Sequence, residues 1–192
     1  MLREPVLILM GFFLFFQSGL EGVTTNWTTT YIESIVVERR DVALFALSGF
    51  MLSLTLSRIF LGWILRKVPS FLVQFISMCV SGAGMFILMF SKEYTLSVIG
   101  LFFLGAGFAA GFPVLLGYVG EVYKKLSGTA FSFVLVIALI GNMTINYSMG
   151  LIFKYFGIKH LPELLIFCLI MLLIVFLIVL KGIKNKVNIT TI

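Results

Sequence analysis

The stretch PVLILMGFFLFFQSGLEGVTTNWTTTYIESIV, residues 5–36, decides the fold of this chain. From Pro5 to Phe16 it holds no charged or hydrogen-bonding side chain, and then Gln17 and Glu21 follow within the same apolar run. At 1.5 Å per residue a helix of this length exceeds a hydrocarbon core of about 30 Å. A carboxylate inside such a helix costs about 2.5–3.5 kcal/mol on insertion scales, so it must face a bundle interior or water. Gln17, Glu21, Thr24, Thr28 and Tyr31 recur at steps of four, three, four and three, which places them on one narrow stripe of a helix. A lone membrane anchor has no use for that stripe, whereas a multi-helix bundle does.

Five further apolar runs follow, at 42–65, 71–90, 94–119, 128–153 and 161–180, separated by short charged turns. Each is long enough for a spanning helix, and none has the ten-residue strict alternation of a barrel strand. The expected fold is all-α, a polytopic membrane protein of six transmembrane helices. Residues 1–184 form the bundle and 185–192 a cytoplasmic tail. Hydrophobic residues make up 60% of the 192 positions and charged residues 11%, too few to clothe a soluble domain of this size. The run at 5–16 is read as a retained span, because Glu4 offsets Arg3 and no small-x-small cleavage signature follows it.

The net charge of +6 does not indicate nucleic acid, since the basic residues sit in inter-span turns and at the tail, where a lipid bilayer accounts for them. With the amino terminus inside, cytoplasmic segments hold Arg3, Arg66, Lys67, Lys124, Lys125, Lys181, Lys184 and Lys186. The outer turns hold Arg39, Arg40, Lys92, Lys154 and Lys159, offset by Glu38, Asp41 and Glu93. Both termini are therefore expected in the cytoplasm of a plasma (inner) membrane protein. Cys79 and Cys168 lie within spans and are expected as small buried residues, not a disulfide.

The polar groups inside the spans carry the functional reading. Glu21 is the first candidate, as a titrating or solute-binding group, against the alternative of a solvated position near the outer surface. Trp27 and Tyr31, one turn apart, fit either an interfacial aromatic belt or a stacking platform for a sugar. Asn142 and Asn146, also one turn apart, either present amides to a cavity or bridge to a neighbouring helix. Arg58 either snorkels to the cytoplasmic interface or pairs with an acidic group at a gate. Gly100, Gly105, Gly107, Gly111, Gly117 and Gly120, with Pro113 among them, make the fourth span either a tight packer or a broken, moving helix. One histidine, His160, no paired carboxylates within the spans and no phosphate-cradling Gly-Lys loop leave no enzyme constellation, and no cofactor or metal is expected.

These residues resemble the carboxy-terminal half of a major facilitator superfamily transporter, most like the fucose-permease-type sugar transporters. The resemblance rests on Gly19-Leu20-Glu21-Gly22 with Trp27 and Tyr31, as in the seventh span of that group, and on Gly49 through Arg58-Ile59-Phe60-Leu61-Gly62 to Arg66-Lys67, as in its eighth span and cytoplasmic turn. Arg66 stands where that family usually places an Asp. Gly111-Phe112-Pro113, Gly120-Glu121 and Ser127-Gly128-Thr129-Ala130 look like the tenth span and the start of the eleventh. The resemblance implies one half of a twelve-span fold with the substrate held between two halves. It further implies a secondary transporter, or a fragment of one, that moves a small polar solute such as a sugar, with protons as a candidate coupling ion. Gln17, Glu21, Trp27, Tyr31, Asn142 and Asn146 would line the cavity, and Arg58, Arg66 and Lys67 would serve a gate. A second six-span half or a homodimer would complete it. The rival reading is a non-transporting association protein or an inactive remnant.

Overall fold

The computed structural model describes residues 4–36 and 40–190, with side chains to residue 183. All regular structure among them is helical: α1 (Pro5–Ile35), α2 (Arg40–Ile64), α3 (Ser70–Phe90), α4 (Tyr94–Phe108), α5 (Gly111–Val122), α6 (Ser127–Phe156) and α7 (Leu161–Thr190), with two short 3-10 turns at Lys124–Leu126 and Ile158–His160. Six helical segments are long and apolar enough to cross a membrane, α4 and α5 together forming the fourth, Tyr94–Val122. The expected spans are thus present in the expected order. Helix α7 runs on through Thr190, beyond the apolar run at 161–180 and into the expected tail. Expectations resting on Arg3, Glu38 and Arg39, or on the side chains of Lys184 and Lys186, lie outside the described residues.

The fourth span is interrupted at Ala109–Ala110. Pro113 supplies the reason: it has no N–H to offer the Ala109 carbonyl, and its ring crowds that same carbonyl. The tight-packing reading of the glycine-rich stretch holds, and the helix is also interrupted, although Ala109 and Ala110 keep right-handed helical φ/ψ. A Cβ at Gly84 of α3 would sit 2.7 Å from the Gly100 carbonyl oxygen and 2.9 Å from the Leu104 nitrogen of α4, so only hydrogen fits between these backbones. Gly105 meets the α2 backbone at Phe50 in the same way, beside a 2.7 Å hydrogen bond from Ser53 Oγ to the Phe102 carbonyl.

Helix α1 is central. It packs along α6, with Gly141 against the Phe15 backbone, and along α7, where the Phe13 and Phe176 rings lie 5.7 Å apart. It also touches α2 and α5. Leu7, Met10, Phe13 and Leu14 are fully buried within this core. Large apolar side chains such as Phe45, Phe60, Phe86 and Met143 point outward, as a hydrocarbon surround requires. Cys79 is among the outward-facing residues, contrary to the expectation of burial, because it falls opposite the buried face of α3 that Ser77, Ser81, Gly84 and Leu88 define. Cys168 is buried, and both thiols are free.

The two ends of the bundle are distinct. The start of α1, the end of α5 and the end of α7 meet at one of them: Tyr123 Oη donates to Glu4 Oε2 at 3.0 Å, and Gly182 abuts Val6. This end also holds the α2–α3 turn. The other end holds the turns at 91–93 and 157–160, where His160 Nδ1 contacts Glu163 Oε2 at 2.6 Å.

Candidate functional site

An open cleft of ≈ 420 Å³ is lined by Ser18, Glu21, Gly22, Thr25 and Asn26 of α1, Phe112 of α5 and Asn142 of α6. Glu21, in its wall, forms a salt bridge with Arg58, which lies outside the lining and whose Nη2 donates to Glu21 Oε2 at 2.7 Å. The side chains are 38% and 18% exposed, so the pair is not sealed in the core. Arg58 lies midway between the centre and the end of α2, yet its side chain does not run to that end. Helical side chains lean toward the helix N-terminus, which for α2 is the opposite end, so the guanidinium leans toward the carboxylate. Its snorkelling alternative is thereby set aside in favour of pairing.

The second oxygen of Glu21 is also held. Gln17 Nε2 donates to Glu21 Oε1 at 2.9 Å and to the Phe108 carbonyl at 3.0 Å, and Gln17 itself is 1% exposed. Charge and hydrogen bonds together satisfy a carboxylate that would otherwise be costly in a membrane span.

On the other wall, amides from α1 and α6 interlock. Asn142 Nδ2 donates to the Ser18 carbonyl at 2.9 Å. Asn26 Nδ2 donates to Asn146 Oδ1 at 3.0 Å, and Asn146 Nδ2 donates to Asn142 O at 2.9 Å and Asn142 Oδ1 at 3.1 Å. Asn142 can face the cleft because Gly22 lies opposite it, where any Cβ would strike its amide.

Of the residues expected to line the cavity, Glu21 and Asn142 do so, whereas Gln17 and Asn146 bond to them, and Arg58 to Glu21, from outside the lining, so these five are joined to the cleft. Trp27 and Tyr31 are not. The Trp27 ring packs 5.5 Å from Phe153 between α1 and α6. Tyr31, 5% exposed, donates its hydroxyl to the Leu88 carbonyl of α3 at 2.8 Å. Neither lines the cleft. Arg66 and Lys67 stay exposed at the α2–α3 turn, with Lys67 Nζ 4.2 Å from the Trp63 ring centroid, apart from Arg58.

Sequence reasoning missed Ser18, Thr25, Asn26 and Phe112. The signal was present: Ser18, Gly22, Thr25 and Asn26 recur at steps of four, three and one on the flank of the chosen stripe. That flank is the one α1 turns to the cleft, while Thr24, Thr28 and Tyr31 face the core. No group of His, Cys, Asp and Glu suited to a metal ion occurs among the described residues.

No protein-family profile and no curated protein sequence matches the chain. Among solved structures, the crystal structure of a major facilitator superfamily transporter, FucP, in the outward conformation is similar, with a TM-score of 0.77 and 18% sequence identity. The likeness covers 92% of this chain and 43% of that one, so the chain spans less than half the length of its structural neighbour. The six helices, their order and their packing match one half of the fold of that transporter.

Proposed function

We propose that this chain is one half of a secondary transporter that moves a small polar solute, a sugar being the first candidate, by alternating access. The observation that carries the proposal is the open polar cleft on membrane-spanning helices, with a salt bridge on one wall and interlocked asparagines on the other. In hydrocarbon such a surface is costly, so a second six-span unit or a second copy of this chain covers it. The Glu21–Arg58 pair leaves the cleft neutral, which suits an uncharged solute, and Asn26, Asn142 and Thr25 offer the donors and acceptors that hydroxyl groups need. The resemblance of the sequence to fucose-permease-type transporters supports that choice of solute. Both ends of the chain are assigned to the cytoplasm of the plasma (inner) membrane, on the excess of Lys and Arg at that end.

Glu21 is the proposed proton site. Protonation removes its charge and frees Arg58, so a proton gradient has a direct handle on the cleft. Proteoliposomes containing this chain with its second half test the reading by sugar counterflow at graded pH. Uptake is expected to rise as external pH falls. Glu21→Gln is expected to retain counterflow but lose the acid stimulation, and Asn142→Ala to lower uptake at least about tenfold through the loss of oriented hydrogen bonds. Uptake of every accepted solute unchanged by both substitutions would remove this site assignment.

A further inference from the structure

We infer that Gln17 is a positioning residue that couples the state of the Glu21–Arg58 pair to the break between α4 and α5. One amide nitrogen carries two hydrogens, and both are committed: one to Glu21 Oε1 and one to the Phe108 carbonyl, the last residue of α4. Gln17 is buried, so no water stands ready to replace either bond. It also meets the far side of the break. A Cβ on Gly111, the first residue of α5, would fall on the Gln17 side chain, so the glycine lets that amide lie directly on the start of α5. Gln17 therefore bonds the end of one half-helix and packs on the beginning of the next.

The continuity extends in both directions. Arg58 of α2 holds Glu21, Glu21 holds Gln17, and Gln17 holds Phe108 and Gly111. Phe112, adjacent to Gly111, is a wall of the cleft. Pro113 leaves the Ala109 carbonyl without its i+4 donor, while Gln17 holds the carbonyl one residue before it, at Phe108, so the angle at the break is set in part from α1. Whatever engages Glu21, a solute hydroxyl or a proton, competes with the Gln17 amide for the same oxygens. The resulting change reaches α5 and moves Phe112 relative to Asn142. The coupling gives the proposed transport reading a mechanical link, and it stands on contacts that exist whether or not solute crosses.

The test reads geometry, so its failure is separate from a failure of transport. In the full protein in lipid vesicles, with Cys79→Ser and Cys168→Ala, spin labels are placed at Glu121→Cys on the end of α5 and Lys181→Cys on α7. Their separation is measured by pulsed electron–electron resonance. Glu21→Gln is expected to shift or broaden the distance distribution, and Gln17→Met, similar in volume without the amide, is expected to abolish that response. Gly111→Ala, which displaces Gln17 without touching the cleft wall, gives a second route to the same loss should Gln17→Met fail to fold. A response to Glu21→Gln that persists in both backgrounds overturns the inference, as does the absence of any response in the parent protein.

Discussion

Tyr31 shows how one stripe on a helix divides between two duties. Gln17 and Glu21 meet the cleft network, whereas from the next turn on Thr24, Thr28 and Tyr31 enter the core, and Tyr31 anchors α1 to the end of α3 through the Leu88 carbonyl. Tyr31→Phe is therefore expected to lower stability by about 1 kcal/mol, the net worth of one such bond, while leaving solute affinity unchanged. Thermal unfolding in detergent beside a binding isotherm distinguishes the two. A loss of affinity without a loss of stability would return Tyr31 to the site. The Glu21–Arg58 pair invites a larger figure, but the Arg58 side chain is more than one-third exposed. Its pairing contributes nearer the surface-pair value of about 1 kcal/mol than the buried one. Its importance lies in charge neutrality more than in stability. Spacing alone showed that Gln17, Glu21, Asn142 and Asn146 are oriented groups. It did not show which neighbour each would meet, because a helical stripe is defined within one helix and a contact is defined by two.

Among the elements, the broken fourth span is the part whose local sequence and tertiary role agree most closely. Glycines draw α4 against α2 and α3, Pro113 breaks the span, and Gln17 from α1 fills a hydrogen bond at the break. The α3–α4 contact sets the limit of tolerance: Gly84→Val pushes a branched side chain into the Gly100 carbonyl and the Leu104 nitrogen, backbone atoms that cannot rotate away. A destabilisation of about 1–3 kcal/mol or more is expected. Loss of the monodisperse peak on size-exclusion chromatography after mild heating reads it. A thermal midpoint equal to that of the parent would mean the two helices can separate at no cost. The glycines and Pro113 announced a packed or broken helix from sequence alone. The site of the break, before the proline, follows from the missing N–H. Cys79 was misjudged because membership of a span says nothing about which side of the helix meets lipid.

At the scale of the molecule, six spans were legible because long apolar runs leave a membrane few alternatives. The face that α1 turns to the cleft was not, since it depends on where α5 and α6 come to rest. Charge distinguishes the ends. Among the described residues, the end holding the α2–α3 turn has Arg66, Lys67, Lys124, Lys125 and Lys181 against Glu4 and Glu121. The other has Arg40, Lys92, Lys154 and Lys159 against Glu33, Asp41, Glu93 and Glu163. A membrane-impermeant maleimide applied to intact cells is expected to label Lys159→Cys and spare Lys125→Cys; the reverse pattern would invert the proposed orientation. The salt bridge joining residues 37 apart across α1 and α2 bears on biosynthesis as well. Each helix arrives in the translocon with a charge that raises its own partition cost by about 2.5–3.5 kcal/mol, and each brings the ion that cancels the other's. The two are thus expected to be released into lipid as a hairpin, the first helix held until the second arrives with its counter-ion.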